Sequence, residues 1–289
     1  MDTNEVQSFL KLIRIDYSIY SACGVLLSGL LAGDLTGIQS EYLITFFIVF
    51  FAAVSAYALN DYFDFEVDKK NKRLDRPLVL GGLTRKTALK TGIISLSLTI
   101  LLTIFLNIPA MVLIYSNLPL FFLYSMWLKK FFVFKNILVA YGYFVTIVLG
   151  SIISDAYIEP LIIYFALMGF IVGFALEIML DIGDVIGDKS GCIDTIATRW
   201  GKKIAAQLVI ILYVVIMILD PIPYFIKIDK RLFRDELFLI LIIIPIISYA
   251  FISKSLLTDQ SIKNVNRLKK RIIVTMHTGS IAYLIGLLI

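Results

Sequence analysis

Residues 52–68 read AAVSAYALNDYFDFEVD, and residues 172–188 read VGFALEIMLDIGDVIGD. In both stretches an apolar run ends in three aspartates, spaced three and then four residues apart. The first aspartate row is Asp61, Asp64 and Asp68, and the second aspartate row, one hundred and twenty residues later, is Asp181, Asp184 and Asp188. Positions at this spacing share one stripe of an α-helix, so each row points three carboxylates in the same direction.

Six carboxylates at the ends of apolar segments repel one another unless a cation lies between them. Mg²⁺ takes oxygen ligands and is usually shared between one or two carboxylates and the phosphates of a substrate. The alternative for any single aspartate is a solvated helix end, but two matched rows favour a functional site because acids in membrane segments are costly. The rows therefore predict Mg²⁺ and a phosphorylated substrate. Asn60 adds a neutral oxygen, and Glu177 extends the second row by one helical turn.

The composition is that of an integral membrane protein. Hydrophobic residues make up 59% of the 289 residues, and the mean hydropathy is +0.89, whereas soluble domains have a smaller apolar share. Nine runs approach the roughly 20 residues that cross a bilayer: 12–32, 42–60, 89–106, 108–127, 131–153, 160–180, 204–226, 236–253 and 272–289. The third and fourth runs meet at Asn107-Ile108-Pro109, which leaves a re-entrant pair as an alternative there.

Basic residues divide unequally between the two sides of this arrangement. Of the 27 Lys and Arg residues, the loops on the side opposite the N-terminus contain only Lys227, Lys230, Arg231 and Arg234. Because cytoplasmic loops are enriched in Lys and Arg, the N-terminus and both aspartate rows are predicted to be cytoplasmic and the C-terminus external. The net charge of +5 is compatible with contact to anionic membrane lipids. The sequence contains no soluble basic domain, so a nucleic-acid partner is not predicted.

We therefore predict an all-α polytopic membrane protein, a single domain over residues 1–289 with nine transmembrane helices in one bundle and its N-terminus inside. The repeated rows indicate two related halves, residues 1–130 and 131–253, followed by a final helix. Each row opens a polar loop, at residues 61–90 and 181–203. Helix-compatible stretches in both loops predict a short cytoplasmic cap helix above the carboxylates.

Departure of a diphosphate requires cations that take up the developing negative charge. Arg73 and Arg76 follow the first row closely enough to fold back over it. Lys129 lies at the predicted cytoplasmic end of the fourth span, and Arg14 lies near that of the first span. The alternative for all four residues is a role in topology and lipid contact.

At these residues the chain resembles the UbiA superfamily of intramembrane prenyltransferases. The similarity lies in residues 60–68, Arg73, Arg76-Pro77-Leu78, Gly81, Tyr124-Ser125 with Lys129, residues 181–188, Gly191, Thr195 and Gly201. The resemblance implies that Mg²⁺ bridges both rows to an isoprenyl diphosphate, whose tail lies in a channel open to lipid. It also implies that the six aspartates and Lys129 are catalytic. The residues implied to bind the diphosphate are Asn60, Arg73, Arg76, Tyr124, Lys129 and Arg14.

Residues 177–189 are similar to the second motif of archaeal superfamily members that act on a lipid acceptor. The expected reaction transfers a geranylgeranyl group from geranylgeranyl diphosphate to the hydroxyl group of geranylgeranylglyceryl phosphate. Two alternatives remain: an aromatic acceptor, as in quinone, haem or chlorophyll synthesis, and a carboxylate-lined ion transporter. A transporter site would be expected near the bilayer midplane rather than in basic loops at the membrane edge. The sequence leaves the oligomeric state and the general base open.

Overall fold

The computed structural model describes residues 3–35, 37, 39–70, 73, 76–126, 131–191 and 193–288. These residues form twelve α-helices and no strand. In chain order the helices are α1 (Thr3–Leu12), α2 (Ile15–Ala32), α3 (Ser40–Lys70), α4 (Arg85–Thr103), α5 (Ile108–Met126), α6 (Phe134–Asp155), α7 (Pro160–Ser190), α8 (Ile196–Arg199), α9 (Lys202–Leu219), α10 (Ile222–Phe225), α11 (Glu236–Thr258) and α12 (Ile262–Leu288). The all-α class predicted from the sequence is confirmed for the described residues.

Among the described residues, eight helices are long and apolar enough to cross a membrane: α2, α3, α4, α6, α7, α9, α11 and α12. Each coincides with one of the predicted spans. The remaining predicted span, at residues 108–127, coincides with α5, whose described apolar stretch Ile108–Tyr124 is shorter than these eight helices. The chain is therefore a multi-pass membrane protein, while the count of nine spans stays a prediction.

Contacts along the backbone divide the chain into two compact units. The first unit comprises Met1–Gly29, Gly33–Lys129 and Leu149–Tyr157, and the second comprises Leu30–Ala32, Lys130–Val148 and Ile158–Ile289. The first aspartate row belongs to the first unit and the second row to the second unit. The single domain predicted over the whole chain stays a prediction.

In the first unit, α3 packs against α1, α4 and α5. The closest approach is at Gly92 of α4, whose carbonyl oxygen accepts a hydrogen bond of 2.9 Å from Ser55 Oγ of α3. A Cβ atom at position 92 would lie 2.6 Å from Leu59 Cγ, so a larger residue would push the two helices apart. Glycine at this position therefore allows α4 to pack closely against the turns of α3 that precede the first row.

A small buried cluster fixes the surroundings of the first row. Leu12 from the end of α1, Ala58 from α3, and Leu78 and Leu83 from the turns after α3 pack together with Ala88 of α4. The cluster therefore joins the segment before α2, the last turns of α3 and the turns that follow α3. Basic residues in these segments are held close to the carboxylates.

In the second unit, α7 packs against α8, α9 and α12, and α11 packs against α9 and α12. A Cβ atom at Gly173 of α7 would lie 2.7 Å from Cδ2 of Tyr143 in α6, so only glycine allows the ring this close to the α7 backbone. Tyr283 of α12 is fully buried and donates a hydrogen bond of 3.0 Å to the carbonyl oxygen of Asp220, at the end of α9. These contacts fix α7, the helix that carries the second row, within the second unit.

Both rows lie inside long helices rather than at the start of loops. Helices α3 and α7 each have 31 residues and include the aspartates in their last turns. The cap helix predicted after the first row is wrong for the described residues 76–84, which form turns. Gly81 adopts a φ of 76° there, and a left-handed residue of this kind interrupts a helix. After the second row a single helical turn, α8, begins at Thr195 with a capping box to Thr198.

Candidate active site

The first aspartate row contains two buried carboxylates that share one cation. Asp61 is 2% exposed and Asp68 is 8% exposed. Arg76 reaches both from the turns after α3, with Nη1 at 2.8 Å from Asp61 Oδ1 and Nε at 3.4 Å from Asp68 Oδ2. Because an unpaired buried charge is strongly unfavourable, Arg76 makes the burial of both carboxylates possible.

A second guanidinium group approaches the same oxygen of Asp61. Nη2 of Arg14 lies 3.3 Å from Asp61 Oδ1, and its guanidinium group lies 4.5 Å from the ring centroid of Tyr57. Arg14 connects α1 to α2 with a φ of 44°, a conformation that non-glycine residues adopt at a cost in energy. The sequence-based hypothesis that Arg14 belongs to the site is supported by this contact.

The second aspartate row has the same arrangement with different residues. Lys135 Nζ lies 2.5 Å from Asp181 Oδ1 and 4.0 Å from Asp188 Oδ2. The other oxygen of Asp181 accepts a hydrogen bond of 2.8 Å from Asn136 Nδ2. Asp181 and Asp188 are buried, as are their counterparts in the first row. Glu177, one turn earlier on α7, adds to the negative potential at Lys135.

The middle aspartate of each row is the most exposed of the three. Asp64 is half-buried and Asp184 is exposed, whereas the first and third aspartates are buried beside a cation. In each row the first and third carboxylates thus lie beside basic groups of the protein, and the middle carboxylate is more exposed. The donor set consists of oxygen atoms, which hard divalent cations such as Mg²⁺ prefer.

The other residues predicted for the site are placed as follows. Asn60 lies on α3 directly before Asp61 and is half-buried. Arg73 follows α3, and its backbone N–H donates a hydrogen bond of 3.0 Å to the carbonyl oxygen of Asp68. Tyr124 lies on α5 and is half-buried. Lys129 lies outside the described residues, so its predicted role stays a prediction.

Lys135 and Asn136 are site residues that the sequence analysis missed. In the sequence, Lys135 is one of the 23 Lys and Arg residues on the side of the N-terminus, where it indicates topology alone. The repeat itself contains the signal: Arg14 precedes Asp61 by 47 residues, and Lys135 precedes Asp181 by 46 residues. Applying the interval of 120 residues between the two rows to Arg14 leads to position 134, directly before Lys135, at the start of the corresponding helix.

The fold and the paired carboxylate clusters define a multi-pass membrane protein with two similar anionic sites. Residues 21–271 match the model of the UbiA prenyltransferase family. The chain is 30% identical over 283 residues to the digeranylgeranylglyceryl phosphate synthase of Thermococcus sibiricus, covering 98% of both chains. It is 28% identical over 281 residues to that of Archaeoglobus fulgidus, covering 97% of this chain and 95% of the relative. The chain belongs to the UbiA prenyltransferase family and is a prenyltransferase.

Solved structures agree with this assignment. A structure of a digeranylgeranylglyceryl phosphate synthase superimposes with a TM-score of 0.75 at 27% identity, covering 98% of both chains. A UbiA homologue from Archaeoglobus fulgidus, bound to GPP and Mg²⁺, superimposes with a TM-score of 0.70 at 17% identity, covering 96% of this chain and 99% of that chain. At this lower identity the likeness concerns the fold alone.

The two arginines that contact carboxylates after α3 allow a matched test of the first row. Replacing Arg76 by Gln leaves two buried carboxylates without their shared cation, which should lower the free energy of unfolding by about 3–5 kcal/mol. Arg85 pairs with Glu66 at 3.8 Å on the surface, so Arg85→Gln should cost less than about 1 kcal/mol. Unfolding in detergent, followed by circular dichroism during denaturant titration, measures both. Equal losses for the two variants would contradict the central position of Arg76.

Proposed function

We propose that this prenyltransferase transfers a geranylgeranyl group from geranylgeranyl diphosphate to geranylgeranylglyceryl phosphate, giving digeranylgeranylglyceryl phosphate. The observation that carries the proposal is similarity over nearly the full length to relatives named for this reaction. The two aspartate rows support it, because they suit a diphosphate substrate bound through a divalent cation. In the reaction, the bond between C1 of the prenyl chain and the diphosphate oxygen breaks, and the lipid hydroxyl oxygen bonds to C1. The hydroxyl proton passes to water, diphosphate or a carboxylate.

Within each row we assign different tasks to the aspartates. The sequence-based prediction treated all six as equal Mg²⁺ ligands. Contacts in each row favour the view that Asp61 and Asp181 chiefly hold basic residues, because the shared cations lie closer to them, at 2.8 and 2.5 Å, than to Asp68 and Asp188, at 3.4 and 4.0 Å. The residues that would hold Mg²⁺ are then Asp64, Asp68, Asp184 and Asp188, with Asn60 as a neutral ligand. When bound, Mg²⁺ neutralises the diphosphate and the charge that develops on it.

The basic residues supply the remaining positive charge at the diphosphate. Arg14 and Arg76 are held in place by Asp61 before any substrate arrives. Donors fixed in advance stabilise developing charge strongly, since they need no reorganisation during the reaction. Arg73, Lys129 and Tyr124 are assigned to the same task by their motifs. Together these groups would draw the diphosphate away from C1 and position the prenyl chain for attack.

We also propose that the active site opens toward the cytoplasm. The support is the distribution of Lys and Arg, which are concentrated in the loops next to both rows. The charged diphosphate group of the substrate would then reach the carboxylates from the aqueous phase, while its apolar prenyl chain enters from the lipid.

A product assay tests the reaction. Purified protein with Mg²⁺ and geranylgeranyl diphosphate should convert geranylgeranylglyceryl phosphate into the diether phosphate, detected by mass spectrometry. It should not prenylate 4-hydroxybenzoate in the same assay. The reverse pattern would contradict the acceptor assignment and favour an aromatic acceptor, while no product with either acceptor would contradict both.

The metal assignment predicts that the middle aspartates are essential. Asp64→Ala and Asp184→Ala should each lower turnover by on the order of a hundredfold or more, because charge stabilisation at the diphosphate is lost. Glu66→Ala, an exposed acid on the same helix as Asp64, is the matched control and should keep most of the activity. Chelation with EDTA should abolish turnover and added Mg²⁺ should restore it. Full turnover of either aspartate variant would contradict the assignment.

The orientation can be tested with single cysteines in a variant that lacks Cys23 and Cys192. Cysteines at the exposed positions of Lys86 and Lys189 should react with an impermeant maleimide only from the cytoplasmic side. A cysteine at the exposed position of Lys230 should react only from the other side. Labelling of positions 86 and 189 from opposite sides would contradict the cytoplasmic placement of both rows.

A further inference from the structure

Lys135 corresponds in position to Arg14 but is not itself among the residues assigned above to the diphosphate. Its ammonium group lies between the first and third carboxylates of the second row, 2.5 Å from Asp181 and 4.0 Å from Asp188. We propose that Lys135 alternates between two partners: it holds these carboxylates while no metal is bound, and it donates to the substrate diphosphate once metal has bound. This inference rests on the proposed function only in so far as the substrate is a prenyl diphosphate.

The charges of the second row support this exchange. Three aspartates bring three negative charges, and Glu177 adds to the potential at the same ammonium group. The single charge of Lys135 offsets only part of the charge of these acids, so a bound divalent cation would make the row more favourable for a diphosphate. Asp184 and Asp188 would hold a divalent cation, and its charge would disfavour the ammonium group of Lys135, which lies 4.0 Å from Asp188 Oδ2, because like charges interact strongly in a partly buried site.

The cation that bridges two carboxylates is an arginine in the first row and a lysine in the second, and a lysine is better suited to exchange partners. Arg76 contacts two carboxylates with different nitrogens of a planar group, which fixes it in one orientation. Lys135 carries a compact charge on a flexible chain of four methylene groups, so it can move without changing the backbone. Asn136 would remain as the donor to Asp181 Oδ2 after the ammonium group leaves. The lysine side chain is 17% exposed, so it is not fully enclosed by the protein.

The exchange predicts that metal and diphosphate bind synergistically. Metal bound first would release Lys135 toward the diphosphate, and diphosphate bound first would remove Lys135 from competition with the metal. Thermodynamic linkage requires that each ligand raise the affinity of the other by the same factor. Lys135 would therefore weaken metal binding in the absence of diphosphate and strengthen diphosphate binding in the presence of metal.

Two binding measurements on Lys135→Met test the proposal without measuring turnover. The first titrates Mn²⁺, as a stand-in for Mg²⁺, into protein without diphosphate and reads free Mn²⁺ by electron paramagnetic resonance. The second measures binding of labelled geranylgeranyl thiodiphosphate, an unreactive analogue, at saturating Mg²⁺. We expect Mn²⁺ affinity to rise roughly tenfold and analogue affinity to fall roughly tenfold, the effect of losing one partly screened charge.

Two control variants separate this role from a structural one. Lys203→Met removes an exposed lysine of the same unit and should change neither affinity. Lys135→Arg keeps the charge and should leave Mn²⁺ affinity near that of the natural protein. If both affinities of Lys135→Met are unchanged, or if both fall, the exchange is contradicted. Neither measurement contains an acceptor, so a wrong acceptor assignment would appear in the product assay alone and leave this result intact.

Discussion

Burial of carboxylates at the ends of two apolar helices is the constraint on which the site depends. A carboxylate removed from water is costly unless a cation lies beside it, and breaking such a pair costs more than never forming it. Asp61 and Asp181 satisfy this constraint through Arg76, Arg14 and Lys135. Segments that carry these cations are therefore tied to α3 and α7, and each row is assembled before a metal or a substrate binds.

In both units, basic residues pair with the aspartates of the row in a similar arrangement. In each, a basic residue near the start of a helix contacts the first aspartate of a row that lies 46 or 47 residues later. In each, a cation that contacts the first aspartate also approaches the third. These parallels support the proposal that the halves are related by duplication. They differ in the bridging group, a guanidinium in the first unit and an ammonium in the second, and this difference would give the rows unequal responses to metal.

Local sequence signals were sufficient for the eight long apolar helices of the described residues and for the helical placement of the two rows, because hydrophobic run length and aspartate spacing are local. They also indicated Arg14 and Arg76, which lie near the first row or at the mouth of a span. They did not identify Lys135 or Asn136 as site residues, because their contact with Asp181 joins positions 46 and 45 residues apart through helix packing. The expected helix after the first row was wrong for the described turns. Their conformation depends on Gly81 and on burial of Leu78 and Leu83.

The central claim is that the first aspartate of each row holds cations while the middle aspartate is open to metal. Anomalous X-ray diffraction from crystals grown with Mn²⁺ and geranylgeranyl thiodiphosphate tests it most directly. The account predicts Mn²⁺ peaks within coordination distance of Asp64 and Asp184, with Arg14 and Arg76 still in contact with Asp61. Mn²⁺ bound directly to Asp61, with both arginines displaced from it, would contradict the account.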